Sequence, residues 1–204
     1  MILDEKLSNE YKNLFDTLII QPGWLDDVES DVESARRGKA RYEKLGIQAK
    51  CPWFIVAIIH KKECAYNFHQ HLHNGDDLSK RTVQIPVGRP VKGEPPFTFE
   101  ASALDALEYD KVSNVKVWDL PGCLFFFEKY NGFAYRPGMK GYRTTPLARS
   151  PYLWAGSQHW QKGKFVKDRV FDPEAGSKNL GAAVLLKALE MKGLVNFTET
   201  KKLV

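Results

Sequence analysis

The stretch Pro52-Trp53-Phe54-Ile55-Val56-Ala57-Ile58-Ile59-His60-Lys61-Lys62-Glu63, followed by Cys64-Ala65-Tyr66-Asn67-Phe68, decides how the rest of the chain reads. It is apolar through Ile59 with no polar stripe, so it predicts a helix over 52 to about 64 that is buried nearly all round. Pro52 suits its first turn, where the missing N–H has no partner to lose. Glu63 ends that run, just before the polar stretch His71-Leu72-His73-Asn74-Gly75-Asp76-Asp77. A carboxyl group where a buried helix opens into a polar cleft is placed to act as a general acid. Apolar walls disfavour its ionised form and keep its proton available near neutral pH. That property suits cleavage of a glycosidic bond, in which a carboxylic acid protonates the leaving oxygen. The alternative is a solvent-facing glutamate that merely ends a helix.

Working outward, residues 5 to 19 and 24 to 45 read as two helices separated by the turn signal Gln21-Pro22-Gly23. In the second, Val28, Val32, Ala35, Tyr42 and Leu45 recur at roughly helical spacing among charges, the pattern of a helix lying on a core. Thr82-Val83-Gln84-Ile85-Pro86-Val87-Gly88 predicts a short strand or hairpin. Helical spacing returns from Phe99 to Tyr109, and Pro121 opens another apolar helix through Tyr130. Residues 131 to 170 are rich in glycine and aromatics, among them Tyr135, Tyr142, Tyr152, Trp154, His159 and Trp160. Asp172-Pro173 is expected to open a final helix through Leu189. No internal repeat, low-complexity segment or linker stands out. The expected fold class is α+β, predominantly helical, with a small β-hairpin after the helix that carries Glu63. The expected organisation is one domain over 1–204, with N-terminal helices in 1–45 and a catalytic core in 46–190.

The 204 residues suffice for one sizeable core, and 43% hydrophobic with 27% charged residues is ordinary for a globular chain. A formal charge of +5 favours acidic polymers such as bacterial cell wall. The basic residues are dispersed rather than gathered in a stripe, which argues against a nucleic-acid module. Cys51, Cys64 and Cys123 have neither CxxC spacing nor even pairing, so free thiols are expected rather than disulfides or a thiolate zinc site. The start Met-Ile-Leu-Asp-Glu-Lys has no signal-type apolar segment, and no run is long enough to span a bilayer. Synthesis in the cytoplasm and no membrane insertion are therefore expected.

Two strings resemble the lysozyme-like superfamily. Ile58-Ile59-His60-Lys61-Lys62-Glu63-Cys64-Ala65-Tyr66-Asn67 is similar to the catalytic helix end of lytic transglycosylases, with Cys64 where they carry serine and Phe68 where they carry proline. Phe127-Glu128-Lys129-Tyr130-Asn131-Gly132 is similar to the Ala-Tyr-Asn-Ala-Gly string that lines their sugar cleft. Asp76 and Thr82, six positions apart, resemble the aspartate and threonine that follow the glutamate of phage-type lysozymes, although the twelve residues between Glu63 and Asp76 lengthen the lead-in. The string from His71 to Asp76, then Arg81 to Pro90 and Gly93 to Phe97, also looks like a subgroup of bacterial and phage lysozyme-family proteins. That resemblance extends over roughly residues 40 to 190.

The resemblance implies a muramidase that cleaves the β-1,4 bond between N-acetylmuramic acid and N-acetylglucosamine in peptidoglycan. Glu63 is then the general acid, and Asp76 with Thr82 holds the attacking water. Asp77 competes with Asp76 for that part. Tyr130, Asn131, Tyr152 and His60 are the expected substrate-binding residues, since flat rings stack on sugar faces while their polar tips hydrogen-bond. The second reading is a lytic transglycosylase, in which the substrate's N-acetyl group and 6-hydroxyl replace the second carboxylate and the water. No cofactor and no metal are expected, and the partner is the glycan strand, met by a monomer after holin-type release or delivery through a secretion system.

Other chemistries remain open in the sequence. His69, His71 and His73 alternate, which on a strand would put three imidazoles on one face, yet no further ligand completes a zinc pattern. Cys64 near histidines permits a cysteine peptidase or amidase, against a buried inert thiol. A carbohydrate-binding protein without chemistry would keep the aromatic groove alone.

Overall fold

The computed structural model describes residues 1–136, 149–167 and 169–197. Among these are seven α-helices and one two-stranded antiparallel sheet, an α+β arrangement dominated by helix. The chain forms two compact units. The first comprises Met1–Val32 and the described residues of 119–196, the second Glu33–Trp118 and Phe197.

In the first unit α1 (Glu5–Asp16) starts where the Asp4 carboxylate accepts the Leu7 N–H at 2.8 Å. It buries Leu7, Tyr11, Leu14 and Phe15, one face at helical spacing, in contact with α5 (Leu120–Tyr130). Asp119 caps α5 through the Gly122 N–H at 2.9 Å. The short helix α6 (Pro151–Trp154) meets α7 (Ala182–Met191) so closely that a Cβ on Gly181 would fall 2.1 Å from the Leu153 carbonyl oxygen. Seven residues of α7 are buried, and Lys187 and Glu190 pair at 2.9 Å on its wetter side.

The second unit holds most of α2 (Leu25–Ala49), with α3 (Trp53–Cys64) and α4 (Phe99–Tyr109). Phe54 through Ile59 on α3 are almost wholly withdrawn from solvent, as the lack of a polar stripe requires. Its five large side chains contribute on the order of 10 kcal/mol before chain entropy is subtracted. Thr98 caps α4 by accepting the Ala101 N–H at 3.2 Å.

Three expectations are corrected. No strand lies between α3 and α4, where there is an isolated bridge between Gln70 and Asp77; the sheet is β1 (Lys164–Lys167) with β2 (Val170–Asp172). Asp172 ends β2 rather than opening a helix, and α7 begins nine residues after Pro173, at Ala182. Pro52 is the residue before the first turn of α3, not within it.

Candidate functional site

Glu63 occupies the last turn of α3 and is half-buried. The helix stops immediately beyond it. Ala65 and Tyr66 take left-handed backbone at φ 48° and 63°, unusual for residues with side chains and a place where strain is held at a fixed geometry. The Ala65 N–H closes on the Lys61 carbonyl at 3.0 Å. From there the chain runs through residues 67–76 and returns to α3, where Gly75, at φ 79°, packs against the Glu63 carbonyl. The His71 N–H binds the Asp76 carbonyl at 2.6 Å, and the Cys64 thiol donates to the His71 carbonyl at 3.2 Å. Asp76 is therefore held in the same local fold as Glu63.

The Asp76 side chain faces its own loop. Its Oδ2 accepts the Val83 and Gln84 N–H groups at 2.8 and 3.0 Å, and its Oδ1 accepts the Gln84 amide at 2.9 Å. Burial works against ionisation here, but the Gln84 and Val83 donors outweigh it and hold the carboxyl below its ordinary value. Such an anion is a weak base. Thr82 is buried too; its hydroxyl donates to the Pro86 carbonyl and accepts the Arg89 N–H at 2.8 Å. Both side chains are thus hydrogen-bonded within the loop itself, Asp76 to Val83 and Gln84 and Thr82 to Pro86 and Arg89. Asp77 is exposed, with one carboxylate oxygen accepting the Ser79 N–H at 2.7 Å.

His60 has no exposed surface, which removes it from direct contact with a substrate. Its Nδ1 pairs with the Tyr42 hydroxyl at 2.8 Å, and its ring lies 4.6 Å from Phe68 and 4.4 Å from Phe99, centroid to centroid. Burial drives its pKa down to about 4, with the Asn67 backbone acting weakly in the other direction. It is a neutral core imidazole one turn before Glu63.

The remaining histidines do not form a metal group. His69 is exposed, while His71 bridges Ser102 and the Lys80 carbonyl, both at 2.7 Å. With the carbonyl accepting from Nε2, Nδ1 is left to accept from Ser102. His73 binds Asp105 at 2.8 Å, and Asp105 also takes a two-point bond from Arg89 at 2.8 Å each. Among the described residues no three His, Cys, Asp or Glu side chains are grouped to hold a metal ion. Cys64 is buried, and burial together with the nearby Glu63 charge pushes its thiol up to about 12. A thiol so reluctant to ionise is a poor nucleophile.

Tyr130, Asn131 and Tyr152 belong to the first unit. Tyr130 and Tyr152 are half-buried, and Asn131 is the exposed cap of α5, followed by Gly132 at φ 80°, the usual left-handed exit of a helix. Tyr142 lies outside the described residues. One feature near this string escaped the sequence. Glu128, at 2% exposure, accepts from the Tyr11 hydroxyl and from Arg136, whose Nη2 lies 2.7 Å away, while Arg136 also reaches Glu10 at 2.6 Å. The only signal for it is an acid amid three phenylalanines on α5.

Comparison of the chain with protein-family models, with curated proteins and with solved structures gives no match.

Proposed function

We propose that this chain cleaves the glycan backbone of peptidoglycan at the β-1,4 bond between N-acetylmuramic acid and N-acetylglucosamine, with Glu63 as general acid. The observation that carries the reading is a difference in exposure between two carboxylates, Glu63 half-exposed and Asp76 buried. Glu63 stands half-exposed at the end of a buried helix, with its backbone fixed by Gly75. Asp76, beside it in the chain's return, has both oxygens engaged by its own loop.

The burial of Asp76 and its bonds to its own loop favour a single-acid mechanism over hydrolysis with Asp76 as the water-holder. Glu63 protonates the departing O4 of N-acetylglucosamine as the C1–O4 bond of the muramic acid breaks. The substrate's N-acetyl oxygen stabilises C1, its own 6-hydroxyl then attacks C1, and the hydroxyl proton returns to Glu63. No water is consumed, and the product is a 1,6-anhydro sugar. Hydrolysis gives a reducing end from the same acid.

The experiment is release of soluble fragments from dye-labelled peptidoglycan by wild type and Glu63→Gln, with pelleting of each protein on the insoluble polymer in parallel. The reading predicts that Glu63→Gln pellets normally and releases at least 100-fold less dye, in keeping with the roughly 10²–10⁴-fold worth of a positioned acid. Equal release by both proteins contradicts it. No release by either, with binding intact, marks a carbohydrate-binding protein.

A further inference from the structure

The segment that begins at Thr82 is built inside out. Its polar groups turn inward. Thr82 pairs through its backbone with Gly88 and Arg89 at 2.8 Å, closing the loop, and Arg81 bonds the Pro90 and Gly93 carbonyls. Arg89 is clamped to Asp105, and the Gln84 carbonyl accepts from Asn74 at 3.1 Å. Its aliphatic groups face out. Val83, Ile85, Val87 and Val91 are 59%, 86%, 68% and 60% exposed. A loop with this many internal bonds is not exposing those side chains through disorder. It holds them in water, where each is unfavourable, along one hydrogen-bonded loop.

Within the loop the charge is basic only, with the acids Asp77 and Glu94 standing at its two ends. From Leu78 to Gly93 there are four basic residues, Lys80, Arg81, Arg89 and Lys92, and no acid. Arg81 and Arg89 are engaged by Glu94 and Asp105, whereas exposed Lys80 and Lys92 have no ion-pair partner among the described residues. Tyr109, half exposed, lies with its ring 5.1 Å from the Arg89 guanidinium at the base of the loop. Aliphatic tips, flanking ammonium groups and an amphipathic aromatic behind them match the depth profile of a lipid surface: hydrocarbon, then phosphate, then the interfacial belt.

We propose that this loop is a peripheral attachment site for an anionic phospholipid bilayer, with Val83, Ile85 and Val87 entering the acyl boundary and Lys80 and Lys92 meeting the headgroup phosphates. This is a surface contact by a loop tip and requires no spanning helix. A second copy of the chain is the weaker occupant, because a stable protein interface takes roughly 20–30 residues a side, far more than four aliphatics supply. A protein partner would also need a concavity matched to the tip, whereas a bilayer yields around it. A purely anionic polymer has no use for the aliphatic tips.

The test is co-sedimentation of the full chain with vesicles of 70:30 phosphatidylcholine and phosphatidylglycerol and with vesicles of phosphatidylcholine alone. The comparison includes the double variants Ile85→Asp with Val87→Asp and Lys80→Glu with Lys92→Glu. All four positions are solvent-exposed, so the variants keep the wild-type melting temperature, which is measured alongside. The wild type is expected to sediment with the anionic vesicles and to bind neutral ones at least tenfold more weakly. Each double variant is expected to lose at least tenfold in affinity for the anionic vesicles. Absence of wild-type binding overturns the proposal, as does binding indifferent to either double substitution. A wild-type dimer that Ile85→Asp dissociates overturns it in favour of a second copy.

Discussion

Gly75 packs against the backbone carbonyl of Glu63 so closely that a methyl group on it would sit 2.7 Å from that oxygen. The contact ties the loop after α3 to the turn that presents the proposed acid. At φ 79° Gly75 also uses a backbone conformation that side chains rarely adopt. Gly75→Ala therefore meets both a steric and a conformational penalty, expected to total about 2–3 kcal/mol. Thermal melting should show the loss of stability. Dye release should fall further than the melting curve alone explains, because the backbone of Glu63 must move.

Asp76 and Thr82 are assigned to the loop rather than to the reaction. Asp76→Ala strands two N–H groups and an amide, and is expected to cost about 2–4 kcal/mol, given what hydrogen bonds to a charged acceptor are worth. Thr82→Ala should cost about 1–2 kcal/mol. At a temperature where each variant is folded, residual turnover should remain well above that of Glu63→Gln. Turnover as low as that of Glu63→Gln in folded Asp76→Asn would restore Asp76 as the water-holder.

The helix that ends at Glu63 was legible because its composition is extreme; a stretch apolar on all sides has nowhere to go but the core, and α3 runs from Trp53 to Cys64. The helices α2 and α4 are legible from helical spacing, and α5 from Pro121 and the apolar run behind it. No strand or hairpin forms over Thr82–Gly88 although the alternation Val83, Ile85, Val87 is strand-like. The N–H groups of Val83 and Gln84, which a ladder needs, bind the Asp76 carboxylate, and Pro86 and Pro90 have none to offer. Glu128 was unreadable for a different reason. One of its partners, Tyr11, lies 117 residues away, and no local pattern encodes such a pairing.

His60 makes stability depend on pH. Its pKa, about 4 in the folded chain, lies below the ordinary value of 6.5, so between these values the unfolded chain binds a proton that the folded chain refuses. Stability is full above about pH 6.5 and falls as pH drops towards 4, by roughly 2–3 kcal/mol from this residue. Burial holds His73 down as well and adds to the trend in the same direction. Urea denaturation at pH 7 and pH 4.5 should show the loss, and His60→Phe should flatten it while lowering stability at pH 7 by stranding the Tyr42 hydroxyl.

The Glu128–Arg136 pair is buried, with side chains 3% and 13% exposed. Removing one partner leaves a charge without compensation, so Arg136→Met is expected to cost about 3–5 kcal/mol. Glu128→Gln keeps an acceptor for the Tyr11 hydroxyl and leaves Arg136 its pair with Glu10, so its melting temperature should drop by less. The order of the two melting temperatures checks the assignment.

The claim at the centre is that Glu63 acts as the general acid in breaking a glycosidic bond. Mass spectrometry of the soluble fragments from purified peptidoglycan, with Glu63→Gln in parallel, tests it most directly. The predicted result is fragments ending in 1,6-anhydro-N-acetylmuramic acid from the wild type and none from the variant. Reducing-end N-acetylmuramic acid would keep Glu63 but require a second group to activate water. Glycan left intact by the wild type, or cut equally by the variant, would contradict the account.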